Sequence, residues 1–588
     1  MRKSKLQQRY TTDVSVEEVL LDASNIPEFN HERMEGKREL RITDRSLSVV
    51  WWLFLAIAGL FLYQLFNLQI VAGAEYRAIA ENNQRDQVVI IAERGVVIDR
   101  TGEPMVWNEL DDTGEYDFPI RAYTDRAGLG QVLGYVSYPK RDNRGFFFRT
   151  EYLGRSGVEA AYEDILSGQN GSTIVEVDAR AEVVSEFALN APVSGGQLQL
   201  SIDAELSEAM YDIIATSSAQ AGFRSGAGAI INIHTGELIA LTSFPSYDPE
   251  VMADGDDIEL IAQYNNDDRL PFLNKMVSGA YTPGSIVKPF VAYAALEEGV
   301  ITQNTRVFSN GTLVIPNRFT PSQPSYFNDW RSHGEMTVRE AIAFSSNVFF
   351  YLAGGGLPEF AAPQAGVSGE MKGLGIMKMA EYYHKFGMGE YTGVNLAQEQ
   401  QGVVPDPEWK TEVFDDDWRL GDTYFTSIGQ FGFLTTPMQM LRAYAALANG
   451  GYLVTPHVEL GRQSDKIDID INQATMQIVH EGMRKTVNFP GGTARAFERS
   501  DVAIAAKSGT AEVGAGNAFV NSWAAGFWPY EEPEYAFILM MDRAPRSNAL
   551  GATRIMGDVV EWMSVNRPEY LGIEVEEVGD AEVGVGAE

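Results

Sequence analysis

The stretch AYTPGSIVKPF, residues 280–290, sets Ser285 three positions before Lys288, between the pair Pro283-Gly284 and a long apolar run. Residues at i and i+3 share one face of a helix, so a helix starting here brings the Ser285 hydroxyl within reach of the Lys288 amine. Pro289 is tolerated in a first turn, whose N–H groups have no intrahelical partners. Two readings fit: a helix cap followed by a solvated lysine, or a nucleophile with its base. The second requires a neutral Lys288 near pH 7, a fall of about three units from about 10.4, or about 4 kcal/mol. A helix N-terminus disfavours the ammonium by only ~0.3–1 kcal/mol, so burial and a second nearby cation must supply the rest.

Two further segments carry groups of the required kind. SSN at 345–347 lies within AIAFSSNVFFYLA, too apolar for a surface, so Ser345 and Asn347 need hydrogen-bond partners. Taken alone they read as polar residues between packed helices. KSGT at 507–510 follows the strand-like VAIAA and offers Lys507 as the second cation, with Gly509 allowing another backbone to approach. Taken alone it reads as a strand end and a turn.

The elements around these residues suggest an α+β domain, a sheet faced by helices. After SGGQLQLS, Asp203 is placed to cap a helix carrying Leu206, Met210 and Ile214. GAIINIHTGELIALTSFP predicts a hairpin turning at HTGE; VAIAAKSGT, NSWAAGFWP and YAFILMMDR predict further strands of one sheet, and TRIMGDVVEWMS a closing helix. Between them SIVKPFVAYAALEEG, TVREAIAFSSNVFFYLA and TPMQMLRAYAALANG have helical spacing. Residues 69–195 carry short candidate strands, QVVIIA and STIVEV, with turns at DRTG and SGQNG, and predict an elongated, mostly β module with little core of its own.

Ser46 to Ala74 contains no charged residue, and Leu47 to Leu68 is its most apolar part. That length crosses a bilayer, and it exceeds the ~7–15-residue core of a cleaved signal peptide. Arg33, Lys37, Arg38, Arg41 and Arg45 precede it and only Arg77 and Arg85 follow closely, so residues 1–46 are expected to form a cytoplasmic tail, with the remainder exported. The domain expectation is therefore a tail (1–46), a transmembrane helix (47–68), a pedestal module (69–195), a catalytic domain (196–565) and an acidic, Gly-rich disordered tail (566–588). With 46 basic and 81 acidic residues in 588, a net charge of −35, the chain is ill suited to nucleic acid. It has no cysteine, and its six histidines form no HExxH pair, so thiolate or zinc chemistry is not expected.

SxxK, then S-x-N, then K-[ST]-G, in this order, resembles the signature of penicillin-binding proteins and serine β-lactamases. ERGVVIDRTGEPMVWN (93–108), GRSGVEAAYEDILSGQNG (154–171), TGELIALTSFPSYDP (235–249), FGMGEYTGVNL (386–396) and TTPMQMLRAYAALANGG (435–451) extend the resemblance to class B penicillin-binding proteins. GDTYFTSIGQ (421–430), FNDW (327–330) and LGIMKMAEYYHKFGMGEYTG are more similar to the elongation type, penicillin-binding protein 2, than to the division type. The resemblance implies a transpeptidase fold on a pedestal of the penicillin-binding-protein dimerisation type, in a single-pass protein of the bacterial cytoplasmic (inner) membrane.

It also implies the chemistry. Ser285 would attack the penultimate D-alanine of a peptidoglycan stem peptide, Lys288 take its proton, Ser345 relay a proton to the leaving amine, and Asn347 hold Lys288 and the substrate amide. Lys507 would supply positive potential, Ser508 and Thr510 bind the substrate carboxylate within the KSG motif that includes Gly509, and the N–H groups of Ser285 and Thr510 form the oxyanion hole. No metal or cofactor is required. Implied partners are donor and acceptor stem peptides, β-lactams as inhibitors and a membrane glycan polymerase. Three departures stand out: KSG for the commoner K-T-G, Ala506 where glycine is frequent, and no histidine before the tryptophan of NSWAAGF. The pedestal is short for the family. Carboxypeptidase or β-lactamase activity, or a non-catalytic β-lactam sensor or scaffold, are the competing readings.

Overall fold

The computed structural model describes residues 44–74, 85–111, 114, 116–143, 147–177, 183–317, 319–320, 322–364, 371–396 and 398–573. Most of the expected cytoplasmic tail, and residues 574–588 of the expected acidic tail, lie outside these. The chain divides into two units, one of residues 1–86 with 175–186 and one of residues 87–174 with 187–588.

The described part of the first unit is dominated by a helix over Asp44–Phe66 that continues as a wider π-helical turn over Asn67–Val71. Leu47–Val71 is long and apolar enough to cross a membrane, and none of it is buried in protein. That length and apolarity fit a membrane anchor.

In the second unit five antiparallel strands form the central sheet, in the order Leu238–Phe244, Ser225–Asn232, Tyr535–Pro545, Phe519–Trp528, Ala505–Val513. The predicted hairpin and all three late strands are among them. Successive residues of a strand point to opposite faces, and both faces here are covered. Ile230, Ile239, Phe537, Leu539 and Ala524 pack with Leu206, Met210, Ile214, Ile555 and Met556. Ala229, Ile231, Ile538, Met540 and Ala525 pack on the other side with Phe290, Tyr444 and Ala445. The first set comes from helices Ala204–Ala221 and Ala552–Asn566, the second from Lys288–Glu297 and Pro437–Ala448. Asp203 caps the first of these as expected, its carboxylate accepting the Leu206 N–H at 3.0 Å. Ala505–Val513 closes the row and keeps one edge unpaired.

Three expectations are corrected. The segment TVREAIAFSSNVFFYLA is two helices, Val338–Phe344 and Asn347–Gly355, because Ser345 adopts a left-handed conformation (φ 56°) that ends the first. The disordered tail does not begin at 566: Tyr570 and Leu571 are buried, and Arg567 pairs with Asp203 at 2.7 Å and also with Glu205. The module after the membrane span has a substantial core, since Met105, Val106, Phe118, Tyr123, Leu129 and Val132 are buried and belong to the same apolar cluster as the sheet. Within that module the buried Glu159 carboxylate accepts from Arg94 Nε at 2.5 Å and Arg121 Nε at 2.7 Å. Buried guanidinium groups persist only when paired in this way.

Candidate active site

Four pieces of chain converge on one cavity of about 960 Å³, lined among others by Ser285, Trp330, Ser345, Asn347, Ser508 and Thr510. The first is a tight 3₁₀ turn, Gly284–Val287, leading into helix Lys288–Glu297. Gly284 (φ 59°) is required there, because a Cβ would lie 2.8 Å from the Thr510 carbonyl oxygen. The same close packing explains Gly509, whose added Cβ would meet Ile286 at 2.8 Å and the Pro283 carbonyl at 3.2 Å. The turn that carries the serine is thus pressed against the edge strand that carries KSGT. Gly429 (φ 74°) supports the turn from behind: its carbonyl accepts the Gly284 N–H at 2.9 Å, and a Cβ on it would fall 2.2 Å from the Gly284 oxygen.

The break between the two helices is the second piece. It turns Ser345 and Asn347 toward Lys288, whose ammonium donates to the Ser345 carbonyl at 2.7 Å, to Asn347 Oδ1 at 2.8 Å and to Ser345 Oγ at 3.3 Å. From the edge strand, Lys507 Nζ donates to Ser345 Oγ at 2.8 Å and to the Ser508 carbonyl at 2.7 Å. Ser345 Oγ therefore bridges two lysines, each with no solvent exposure. Ser508 Oγ donates to Thr493 Oγ1 at 2.6 Å.

Burial pushes Lys288 down to about 7, against an opposing pull from the Asp329 carboxylate. Burial, followed by the charge of Lys288, drives Lys507 well below the usual lysine range. Burial is the largest cause for both lysines, and their mutual repulsion across Ser345 Oγ acts in the same direction. Helical spacing brings Ser285 near Lys288, but no hydrogen bond joins the two side chains. Among the described residues the Lys288 amine is held by Ser345 and Asn347, while the partly exposed Ser285 hydroxyl faces the cavity.

Two residues of the site escaped the sequence reading. Asp329 lies in FNDW, which carried family likeness but no chemistry. Its buried carboxylate accepts from Ser346 Oγ at 2.6 Å, Asn347 N–H at 2.9 Å and Val348 N–H at 3.1 Å, fastening the N-terminus of the second helix. Burial alone would raise its pKa; the His333 ring 3.4 Å away, hydrogen bonds from Ser346 and Asn347 and the charge of Lys288 outweigh that and bring it to about 2. Thr493, the partner of Ser508, sits in a glycine-rich loop with no local signal. No group of three metal-ligating side chains occurs among the described residues.

A serine in a cavity beside a buried, near-neutral lysine can perform acyl transfer. The family model for the penicillin-binding protein transpeptidase domain matches residues 226–561, and that for the penicillin-binding protein dimerisation domain matches 116–200. The first spans more than half of the chain, which belongs to the penicillin-binding proteins. The peptidoglycan D,D-transpeptidase MrdA of Escherichia coli (strain K12) is 28% identical over 602 residues, covering 84% of this chain and 90% of that protein. The Helicobacter pylori penicillin-binding protein PBP2, solved in complex with MreC, superposes with a TM-score of 0.67 at 25% identity, covering 83% of this chain and 99% of that one. A chain of a peptidoglycan synthase complex, described as coordinating polymerization and crosslinking, superposes at 0.66 with 26% identity over 90% of this chain and 99% of its own.

Proposed function

We propose that the chain is a membrane-anchored peptidoglycan D,D-transpeptidase of the elongation type, acylated by β-lactams at Ser285. The observation that carries this reading is the buried Lys288, brought to about 7 and fixed on Ser345 and Asn347 beside the Ser285 cavity. The similarity to MrdA and to PBP2 supports the elongation role.

Neutral Lys288 takes the Ser285 proton as Oγ bonds to the carbonyl carbon of the penultimate D-alanine. The oxyanion is stabilised by the N–H groups of Ser285 and Thr510. Collapse breaks the C–N bond, and the departing amine of the terminal D-alanine takes a proton relayed through Ser345. In the second half an acceptor amine bonds to the ester carbon, the C–Oγ bond breaks, the amine proton passes to Lys288, and Oγ recovers a proton. Ser508 and Thr510 bind the donor carboxylate in the positive potential of Lys507. The donor peptide extends along the unpaired edge of Ala505–Val513, whose free N–H and C=O groups recognise extended backbone.

The span Leu47–Val71 anchors the protein in the bacterial cytoplasmic membrane with its N-terminus inside, and a membrane glycan polymerase is its partner, in line with the synthase complex that one solved relative forms. The domain limits proposed are those of the sequence, with the span carried on to Val71 and the catalytic domain to residue 573. Incubation with a polymerised, uncrosslinked glycan carrying pentapeptide stems tests the activity. The reading predicts crosslinked dimers and free D-alanine in equal amounts; D-alanine without dimers would assign a carboxypeptidase instead.

A further inference from the structure

A second cavity, of about 560 Å³, adjoins the first, and Gln430, Phe431 and Glu512 line both. Its charge runs against the chain. Acidic residues outnumber basic ones by 81 to 46 overall, whereas Arg224, Arg269, Lys275 and Arg543 face this cavity against only Glu512 and Asp542.

The cations are built in rather than scattered. Lys275 is buried, its amine donating to the Leu270 carbonyl at 2.9 Å, and burial brings it down to about 7, which leaves the arginines as the fixed charges. Arg224 stands at the start of its strand, its N–H bonded to the Asp542 carbonyl at 2.8 Å. Arg543 occupies a left-handed conformation (φ 52°), where the pairing of Phe519–Trp528 with Tyr535–Pro545 shifts register. Asn521 Oδ1 holds it there by accepting its N–H at 3.0 Å. A bulge beside an active site re-aims a side chain, and a non-glycine residue keeps such a conformation only when its neighbours impose it. Among the described residues the guanidinium groups of Arg224 and Arg543 make no hydrogen bond and no ion pair within 4.0 Å; the Asp542 carboxylate interacts with both only through space, so their planar forks are open to a further anion.

We propose that this cavity is the acceptor subsite, in which Arg224 and Arg543 bind a carboxylate of the second peptide while its amine reaches the Ser285 ester past Gln430, Phe431 and Glu512. The proposal rests on the transpeptidase reading above. The donor carboxylate already has its place at Ser508 and Thr510. The second half-reaction needs another peptide, and this cavity shares Gln430, Phe431 and Glu512 with the one that holds Ser285. Every such peptide bears a carboxylate, and guanidinium groups pair with carboxylates through two parallel hydrogen bonds.

The test uses the full chain and two acceptors, a stem tripeptide with free carboxylates and the same peptide with carboxamides, with inorganic phosphate as a competing anion. The wild type should show a KM for the free acid lower than for the amide by about tenfold or more, the worth of a lost hydrogen bond to a charged group. Arg224→Gln and Arg543→Gly, singly and together, should raise the free-acid KM toward the amide value while Ser285 is still acylated by labelled penicillin at the wild-type rate. Glycine keeps the backbone of position 543 unstrained, and the free-acid against amide comparison in the wild type stands even where a variant fails to fold. Normal acylation with an unchanged acceptor KM would overturn this proposal alone, as would equal KM values for the two acceptors, or competition by phosphate that both substitutions leave unchanged. Absence of a penicillin adduct on Ser285 would overturn the transpeptidase reading and this proposal with it.

Discussion

A lysine that loses water loses its proton more readily, and burial is the largest cause of the low value at Lys288. Its folded value of about 7 lies below the unfolded 10.5, so acylation should climb as pH rises through 7 and level off above it. The same shift fixes the sign for stability. Between pH 7 and 10.5 the unfolded chain binds more protons than the folded one at this site, so the folded state gains stability as pH rises through that window. Lys288→Arg should therefore abolish penicillin acylation at neutral pH, because guanidinium does not lose its proton there; near-normal labelling would show that another group is the base. Asp329→Ala should unfasten Ser346 and Asn347, lowering stability by about 2–4 kcal/mol in a denaturant titration and slowing acylation at least tenfold. Ser285, Lys288 and Lys507 were legible in the sequence because each sits in a short contiguous motif. Asp329 was not, since its value comes from partners 17 to 19 residues away whose meeting depends on the folded loop.

At the level of elements, the site depends on where helices stop. Apolar periodicity predicts one helix across Ser345, and the left-handed residue that divides it has no cue in composition, since Ser345 is held there by tertiary contacts with two lysines. The strands of the sheet were readable because alternate residues serve two cores, leaving dense β-rich runs such as YAFILMMDR. The seating of the Ser285 turn is a matter of backbone contacts, which no pattern of side chains announces. Gly429→Ala makes that visible: its Cβ would meet the Gly284 oxygen at 2.2 Å, with backbone on both sides. The variant should lose most penicillin acylation while a far-ultraviolet circular dichroism spectrum stays near that of the wild type. Full acylation would show that the turn can relax.

Across the whole second unit, the module at 87–174 and the catalytic sheet share one apolar cluster, where the sequence predicted a module with little core. Short strands and scattered aromatics such as Phe118, Tyr138 and Tyr152 hide a core that forms only by long-range packing. Glu159→Gln would leave Arg94 and Arg121 facing a neutral amide in that core, with an expected loss of about 3–5 kcal/mol. Calorimetry should record it as a drop in the melting temperature of the catalytic part itself, in a single transition; two transitions, with only one shifted, would show that the module folds independently. The membrane span, by contrast, was legible from composition alone, because a bilayer asks only for length and apolarity. The proposed reaction turns on one bond, between Ser285 Oγ and an acyl carbon. Digestion and mass spectrometry after incubation with a labelled penicillin measures that bond directly. The adduct is predicted on the peptide containing Ser285 and absent from Ser285→Ala; a folded wild-type protein with no adduct, or with the label on another residue, would contradict the account.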